Sequence, residues 1–231
     1  RTLFDSIKKA DPIKVGRFGL GFKSVFHMTD LPSVLSGEGL GYIDPQERYF
    51  EVKKGTRPKP TSTKRFHLKN HKDQLQQWKQ QVQPYLQPIF SSDEETFKNA
   101  EYKGTLFRFP LRNAAMESEL CDTLYGSDKV LTLFRSLQAD GHAILLFLKS
   151  LEKIQLLHRR HRDAEPELVY EIRVSDSCLK QLRSERKQLI EHIQSQEAFV
   201  NVYPLTIETS APDQPTSPKH FLVCQHYVTQ E

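Results

Sequence analysis

The sequence feature that most constrains the fold is a cluster of glycines near the N-terminus. Gly16, Gly19 and Gly21 fall in the stretch KVGRFGLGFKSVFHMTD, in a chain that has only 10 glycines. Residues without a side chain let backbone amides approach a ligand closely, and the start of a helix adds unpaired N–H groups. Apolar residues at helical spacing follow the cluster and predict a short buried helix over 22–28. The pattern predicts either a loop that holds a phosphate group or a structural tight turn.

The spacing of these glycines differs from that of two common phosphate motifs. It reads G-x-x-G-x-G, the reverse of the dinucleotide fingerprint, and no long parallel strand is predicted before it. The G-K-[ST] ending of a P-loop is absent as well. Spacing alone therefore leaves both interpretations open.

Composition describes a globular chain with a modest positive charge. The 231 residues carry a net charge of +4 spread over short clusters, which does not favour a nucleic-acid partner. The longest apolar run, 143–148, is too short to cross a bilayer, and no signal peptide is recognisable. Cys121, Cys178 and Cys224 lie too far apart for a CxxC metal site or a disulfide framework, which favours a reducing, cytoplasmic compartment. Because the sequence lacks an initiating Met, we expect an internal fragment of a longer protein.

Hydrophobic periodicity and turn residues predict a mixture of strands and helices. In the first half they predict a strand over 32–37, turns over 37–45, a solvated loop over 51–63, a polar helix over 73–82 and a strand over 102–112. In the second half they predict a helix over 129–137, a short buried segment over 143–148, paired strands over 153–160 and 168–174, a helix over 176–194, and strands over 199–209 and 220–228 around a Pro-rich loop, 211–218.

Several longer stretches resemble the GHKL ATPase superfamily, which includes the ninety-kilodalton heat-shock chaperones, the gyrase B subunits, the MutL proteins and the histidine kinases. The stretch VGRFGLGFKSVFHMTDLPSVLSG is similar to the glycine box at the end of the nucleotide lid in that superfamily. The heat-shock-protein-90-like repeats of the sacsin family resemble this chain more closely, in KKADPIKVGRFG, FHMTDLPSVLSG, GYIDP, YKGTLFRFPLR and ILLFLKSLEKI. These stretches keep their order from Ile7 to about Leu157.

The resemblance implies an α+β fold, a Bergerat-type α/β sandwich with a mixed sheet in which ATP lies under a mobile lid. Residues 1–163 would form the C-terminal portion of the ATP-binding domain, and 164–231 the start of a middle-type α/β module. The resemblance also implies ATP with Mg²⁺ as cofactors, and client proteins and chaperones of the seventy-kilodalton class as partners. The implied role is chaperone or co-chaperone work in protein quality control or cytoskeletal client assembly.

Carried over by position, the motif assigns a nucleotide-binding set. That set consists of Gly16, Arg17, Phe18, Gly19, Leu20, Gly21, Phe22 and Thr105. The amides of 18–22 would face the triphosphate, and Thr105 would lie near the Asp that reads adenine. Two residues depart from the pattern: Arg17 stands where the heat-shock chaperones carry Gln, and Lys23 stands where the sacsin repeats carry a short polar residue.

The resemblance places the catalytic Glu and Asn helix upstream of the glycine box, so we expect no catalytic residue and no metal ligand in this chain. A general base must reach its proton directly or through one water. We therefore expect weak ATPase activity only from an intact domain that includes this helix. Two alternatives stay open, a non-enzymatic scaffold that retains the fold and a DNA-processing GHKL ATPase. His27, on an apolar helix without metal-ligating neighbours, is interpreted as a packed residue.

Overall fold

The computed structural model describes residues 21–54, 57–71, 101–114, 117–148, 150–161 and 164–228. They fall into two compact units, one within Leu20–Ser127 and the other within Asp128–Glu231. The strand pairs of the described residues are antiparallel. This arrangement of helices and antiparallel sheets is compatible with the expected α+β class, whereas the mixed sheet and the Bergerat topology stay predictions.

The first unit contains a short 3₁₀ helix, Phe22–His27, and a four-stranded sheet. The sheet consists of β1 (Ser33–Gly37), β2 (Gly39–Ile43), β5 (Thr63–His67) and β6 (Tyr102–Arg108). A separate hairpin consists of β3 (Glu51–Lys54) and β4 (Arg57–Pro60). The order of the four-stranded sheet is β5-β2-β1-β6.

One face of this sheet carries the core of the first unit. Successive side chains of a strand point to opposite faces, and the register aligns one apolar row across the four strands, formed by Leu106, Leu35, Leu40 and Phe66. The last three of these side chains are at most 2% exposed. Tyr42, Leu68 and Tyr102 complete the buried cluster.

The second unit packs two helices and a four-stranded sheet. Its elements are α1 (Ser127–Phe147), β7 (Lys153–His158), β8 (Glu167–Val174), α2 (Asp176–Ser195), β9 (Phe199–Ala211) and β10 (Gln214–Tyr227). The sheet has the order β10-β9-β8-β7. Its core joins Leu145 of α1 and Leu182 of α2 to sheet residues that include Tyr170, Ile172 and Ile207.

Three expectations for the first unit are wrong in detail. The predicted turns over 37–45 include strand β2, in which the missing side chain of Gly39 leaves room for that of Arg65. The predicted loop over 51–63 contains the β3–β4 hairpin. The predicted buried helix over 22–28 is a 3₁₀ helix without a buried residue.

Two expectations for the second unit also need correction. The segments 129–137 and 143–148 belong to one helix, α1, because Gly141 continues the helix where a break is expected. The predicted Pro-rich loop over 211–218 shrinks to a turn at Pro212 and Asp213, since most of its residues lie in β9 and β10.

Other expectations agree with the structure or lie outside its described part. The β7–β8 pair, the helix over 176–194 and the strands at 32–37 and 102–112 are confirmed, with small shifts of their ends. The polar helix over 73–82 lies outside the described residues. The boundary between 163 and 164 falls between β7 and β8 and stays a prediction about family modules.

Gly141 generates a prediction about stability. A Cβ at this position would lie 1.9 Å from Cδ1 of the fully buried Ile172. Alanine gains about 1 kcal/mol of helix propensity over glycine, whereas overpacking a core costs about 1–3 kcal/mol. We expect Gly141→Ala to lower the free energy of unfolding measured by urea denaturation. Ile172→Val removes Cδ1, so the double variant should recover part of this loss.

Gly126 provides the control for this experiment. A Cβ there would meet nothing within 4 Å, so Gly126→Ala should leave the free energy of unfolding nearly unchanged. An increase in stability in Gly141→Ala would contradict the steric argument.

Candidate functional site

The sheet face opposite the core of the first unit carries small and polar residues together with Val34 and Phe107. We call it the glycine face and define it by two rows that the register aligns, Thr105, Ser36, Gly39 and His67, and Phe107, Val34, Gly41 and Arg65. A cavity of about 350 Å³ lies over β1, β2 and β5. Gly39 and Gly41 have no side chains and therefore leave the sheet surface at the base of this cavity, its floor, flat.

Arg65 lies across this floor. A Cβ on Gly39 would come within 3.0 Å of Nε of Arg65, so glycine at position 39 lets the guanidinium lie close to the sheet. Arg65 is exposed and therefore adds a positive charge to the glycine face.

Two hydroxyl groups meet at the β1–β6 side of the glycine face. The Oγ of Ser36 donates to the carbonyl of Gly104 at 2.8 Å and lies 3.2 Å from Oγ1 of Thr105. A serine hydroxyl has one proton, so Thr105 is the donor to Ser36. The remaining lone pairs of Thr105 can accept a hydrogen bond from a ligand or a water.

The described end of the predicted nucleotide loop lies beside the same strand. Gly21 precedes the 3₁₀ helix, and its carbonyl accepts a hydrogen bond from Oγ of Ser24 at 2.7 Å. The ring of Phe22 lies 6.0 Å from that of Phe107, which stacks on Phe109 at 6.1 Å. Phe22 and Thr105 are thus linked through Phe107, two positions along β6 from Thr105.

The other end of the 3₁₀ helix is held by Arg112. Its guanidinium donates to the carbonyls of Phe26 at 2.8 Å and His27 at 3.1 Å, and its backbone N–H donates to the carbonyl of Met28 at 2.9 Å. The guanidinium also donates to the carbonyl of Thr123 at 3.0 Å. Carbonyls at a helix C-terminus lack hydrogen-bond donors within the helix. Arg112 supplies these donors.

Arg112 also forms a buried ion pair with Asp30. Its Nε and Nη2 lie 3.0 and 2.5 Å from Oδ1 of Asp30, and both residues are less than 5% exposed. Ser118 donates to the same oxygen at 2.8 Å. Burial alone would raise the pKa of Asp30, but the hydrogen bonds from Arg112 and Ser118 and the charge of Arg112 hold this pKa below its ordinary value.

The thiol of Cys121 lies next to this ion pair. The backbone N–H of Thr123 donates to Sγ at 3.5 Å. The bonds from Thr123, then the bond from His27 and the charge of Arg112, lower the pKa of the Cys121 thiol to about 7.

The structure describes only part of the predicted binding set. Gly16, Arg17, Phe18, Gly19 and Leu20 lie outside the described residues. Gly21, Phe22 and Thr105 are described, and Phe22 and Thr105 lie on neighbouring parts of one surface. Whether they bind a nucleotide stays a prediction.

Sequence reasoning missed Arg112, Asp30 and the neighbours of Cys121. Asp30 and Arg112 do occur in two stretches that carry the family resemblance, FHMTDLPSVLSG and YKGTLFRFPLR. A pattern of residue types does not indicate that charges 82 positions apart form a pair. The interpretation of His27 as a packed residue is wrong, because the residue is exposed.

Two features are absent from the described residues. They contain no helix long and apolar enough to span a membrane. They also contain no group of three or more His, Cys, Asp or Glu side chains that could hold a metal ion.

Comparison with known proteins identifies the class of this α and β domain. Residues 1–171 match the Sacsin domain family, so the chain belongs to that family. The chain is also 40% identical over 185 residues to Sacsin from Homo sapiens. The alignment covers 80% of this chain and 4% of that protein, so the chain spans a small part of its relative.

The Asp30–Arg112 pair generates a prediction about stability. Removing one partner of a buried ion pair destabilises a protein by about 3–5 kcal/mol. We expect Asp30→Asn to cause a loss of this size in urea denaturation, because Arg112 keeps its buried charge. The control is Glu119→Gln, since Glu119 is 79% exposed in its pair with Arg48 and such pairs contribute less than about 1 kcal/mol. Equal losses in both variants would contradict the argument.

The same pair predicts an acid-dependent loss of stability. The folded pKa of Asp30 is lowered, so its contribution is present above the ordinary value of 3.8 and is lost as pH falls through the folded pKa. The difference in unfolding free energy between wild type and Asp30→Asn should be constant near neutral pH and shrink on acidification. Urea denaturation over a series of pH values measures it, and a difference that stays constant in acid would exclude this role for Asp30.

Proposed function

We propose that the first unit is part of a GHKL nucleotide-binding domain of the Bergerat type, and that ATP lies on its glycine face. The observation that carries the proposal is the contact between Phe22 and Phe107, on the same face as Thr105. Phe22 ends the loop in which the family resemblance places phosphate contacts, and Thr105 belongs to the Gly-Thr strand. The glycine loop and the Gly-Thr strand, for which the resemblance implies ATP as a common ligand, are distant in sequence but meet at one surface.

The residues of this surface fit an adenine nucleotide in two respects. The hydroxyl of Thr105, which donates to Ser36, presents its acceptor pairs to an amino group or a water. The exposed guanidinium of Arg65 adds the positive charge that phosphates favour. We assign no Mg²⁺ ligand to the described residues, since they contain no suitable cluster.

The proposed biological role rests on the resemblance to the heat-shock-protein-90-like repeats. We propose a cytoplasmic chaperone or co-chaperone domain that serves protein quality control or cytoskeletal clients, with chaperones of the seventy-kilodalton class as partners. Nucleotide binding would regulate this work, and any hydrolysis would need the upstream Glu and Asn helix implied by the resemblance.

A second candidate is a scaffold that keeps the fold without catalysis. No residue that defines the glycine face carries a carboxylate, so these residues offer no general base of that kind. This observation is compatible with binding alone and equally with a domain that has lost its ligand.

Calorimetric titration of ATP with Mg²⁺ into the intact domain tests the proposal. We expect Gly21→Val to weaken binding at least about tenfold, because its side chain would obstruct the backbone on which phosphates are expected to lie. The change should not unfold the domain, since a Cβ on Gly21 would meet nothing within 4 Å. Gly126→Val, at a second open position, is the matched control and should bind as wild type does.

Thr105 provides an independent variant of the same measurement. Thr105→Val removes the hydroxyl but keeps the shape, and we expect about a tenfold loss of affinity, equal to about 1.4 kcal/mol. Thr105→Ser retains the hydroxyl and should bind nearly as well as wild type. Unchanged affinity in Gly21→Val and Thr105→Val would exclude the glycine face as the site, and no binding by a well-folded wild type would favour the scaffold.

A further inference from the structure

The second unit has a narrow cleft of its own between its two helices and its sheet. The cleft has a volume of about 50 Å³. Apolar side chains of α1, α2 and β9 line it, and they include Leu145, Leu182, Leu189, Ile193 and Leu205. A water-sized group needs roughly 10–15 Å³, so the cleft has room for a hydrocarbon chain of about three to five carbon atoms.

A larger cavity of about 440 Å³ lies beside this cleft along α2. Arg186 and Ile190 line both spaces, so the two are adjacent. The other walls of the larger cavity are mostly polar and include Glu152 and Arg183. The apolar cleft therefore meets a polar cavity at the guanidinium of Arg186, an arrangement that suits a ligand with one charged and one apolar end.

Arg186 keeps donors and a positive charge for such a ligand. Its Nη2 donates to the carbonyls of Leu148 at 2.8 Å and Leu151 at 3.1 Å, whereas its Nε and Nη1 bind none of the described residues. Glu152 is the carboxylate whose charge acts on Arg186. Both oxygens of Glu152 are bound by Arg183, at 2.8 and 2.6 Å. Arg186 thus forms no ion pair with a carboxylate of the described residues.

The half-buried position of Arg186 makes this unpaired charge costly. Burial is the largest influence on the guanidinium and lowers its pKa, so the surrounding groups do not compensate for the lost hydration. An anion bound at Arg186 would supply that compensation.

Two further polar side chains, Tyr203 and Gln225, line the same cleft. Nε2 of Gln225 donates to the phenol oxygen of Tyr203 at 3.2 Å, whereas Oε1 of Gln225 is buried without a partner among the described residues. If the amide is turned over, Oε1 accepts the phenol proton and Nε2 is left without an acceptor. One end of this buried amide lacks a partner in either orientation, which native proteins normally avoid.

We propose that this cleft binds a small carboxylate with a short hydrocarbon chain, with the carboxylate on Arg186 and the chain among the apolar side chains of both helices. One unpaired guanidinium matches one negative charge, which favours a carboxylate over a phosphate group with nearly two. With its amide turned over, Gln225 donates to the same carboxylate and accepts from Tyr203. The ligand thereby satisfies both the unpaired charge and the unpartnered amide.

Titration of pentanoate into the full chain tests the proposal, with the Leu and Ile methyl signals followed by NMR. Pentanoate places a butyl chain behind its carboxylate, which fits the room in the cleft. We expect saturable shifts at the methyl groups that line the cleft. Acetate lacks the chain and pentan-1-ol lacks the charge, so each should bind at least about tenfold more weakly.

Variants of two cations on α2 separate the proposed pairing from a general effect of charge. Arg186→Gln removes the charge but keeps an N–H donor for the carbonyls of Leu148 and Leu151. We expect it to weaken pentanoate binding at least about tenfold and to leave pentan-1-ol binding unchanged. Lys180→Gln is the matched control, because it removes the same charge at an exposed position of α2 outside both cavities. It should bind pentanoate as wild type does.

Three outcomes would overturn the proposal. The first is the absence of saturable pentanoate shifts at the cleft in folded wild type. The second is equal affinity of wild type for pentan-1-ol and pentanoate, which would leave Arg186 without a role. The third is an equal loss of affinity in Lys180→Gln and Arg186→Gln. Thermal melts establish that both variants are folded, and the series of ligands on wild type does not depend on either variant.

Discussion

The first unit depends on one guanidinium group, that of Arg112. A guanidinium has five N–H donors in a fixed plane, and the donors of Arg112 are spent on the carboxylate of Asp30 and on the carbonyls of Phe26, His27 and Thr123. A buried charge is expensive unless it is both paired and fully hydrogen-bonded, and both conditions are met here. Lysine could not replace it, because an ammonium lacks the planar fork that reaches carbonyls on either side of a carboxylate.

The sequence predicts those elements of the fold that local residue patterns determine. It does not predict the elements that depend on contacts between residues far apart in the chain. Strand β6 alternates and α2 has a helical stripe, so both were predictable from neighbours in sequence. Strand β2 was mistaken for turns because its glycines are uncommon within strands, whereas the structure uses Gly39 to accommodate Arg65. Helix α1 was divided for a similar reason, since Gly141 serves a close approach to Ile172 that only the tertiary structure shows.

The candidate site also has one part that the sequence predicts and another part that depends on tertiary structure. The family resemblance assigns Gly21 and Thr105 to the nucleotide-binding set, whereas Gly39 and Gly41 of the glycine face lie outside that set, and the face to which Thr105 belongs depends on strand register. One residue of shift would turn Thr105, Ser36 and Phe107 toward the core and bring Leu106 and Leu35 to the outside. Register is fixed by the apolar row on the core face, so packing of the core determines which polar residues form the glycine face.

The 3₁₀ helix Phe22–His27 connects these features physically. Its first residue packs on Phe107, and the carbonyls at its other end are bound by Arg112, which also pairs with Asp30. A short element held at both ends shifts as a unit or not at all, because its hydrogen bonds to a buried guanidinium cannot be stretched without leaving polar groups unpaired.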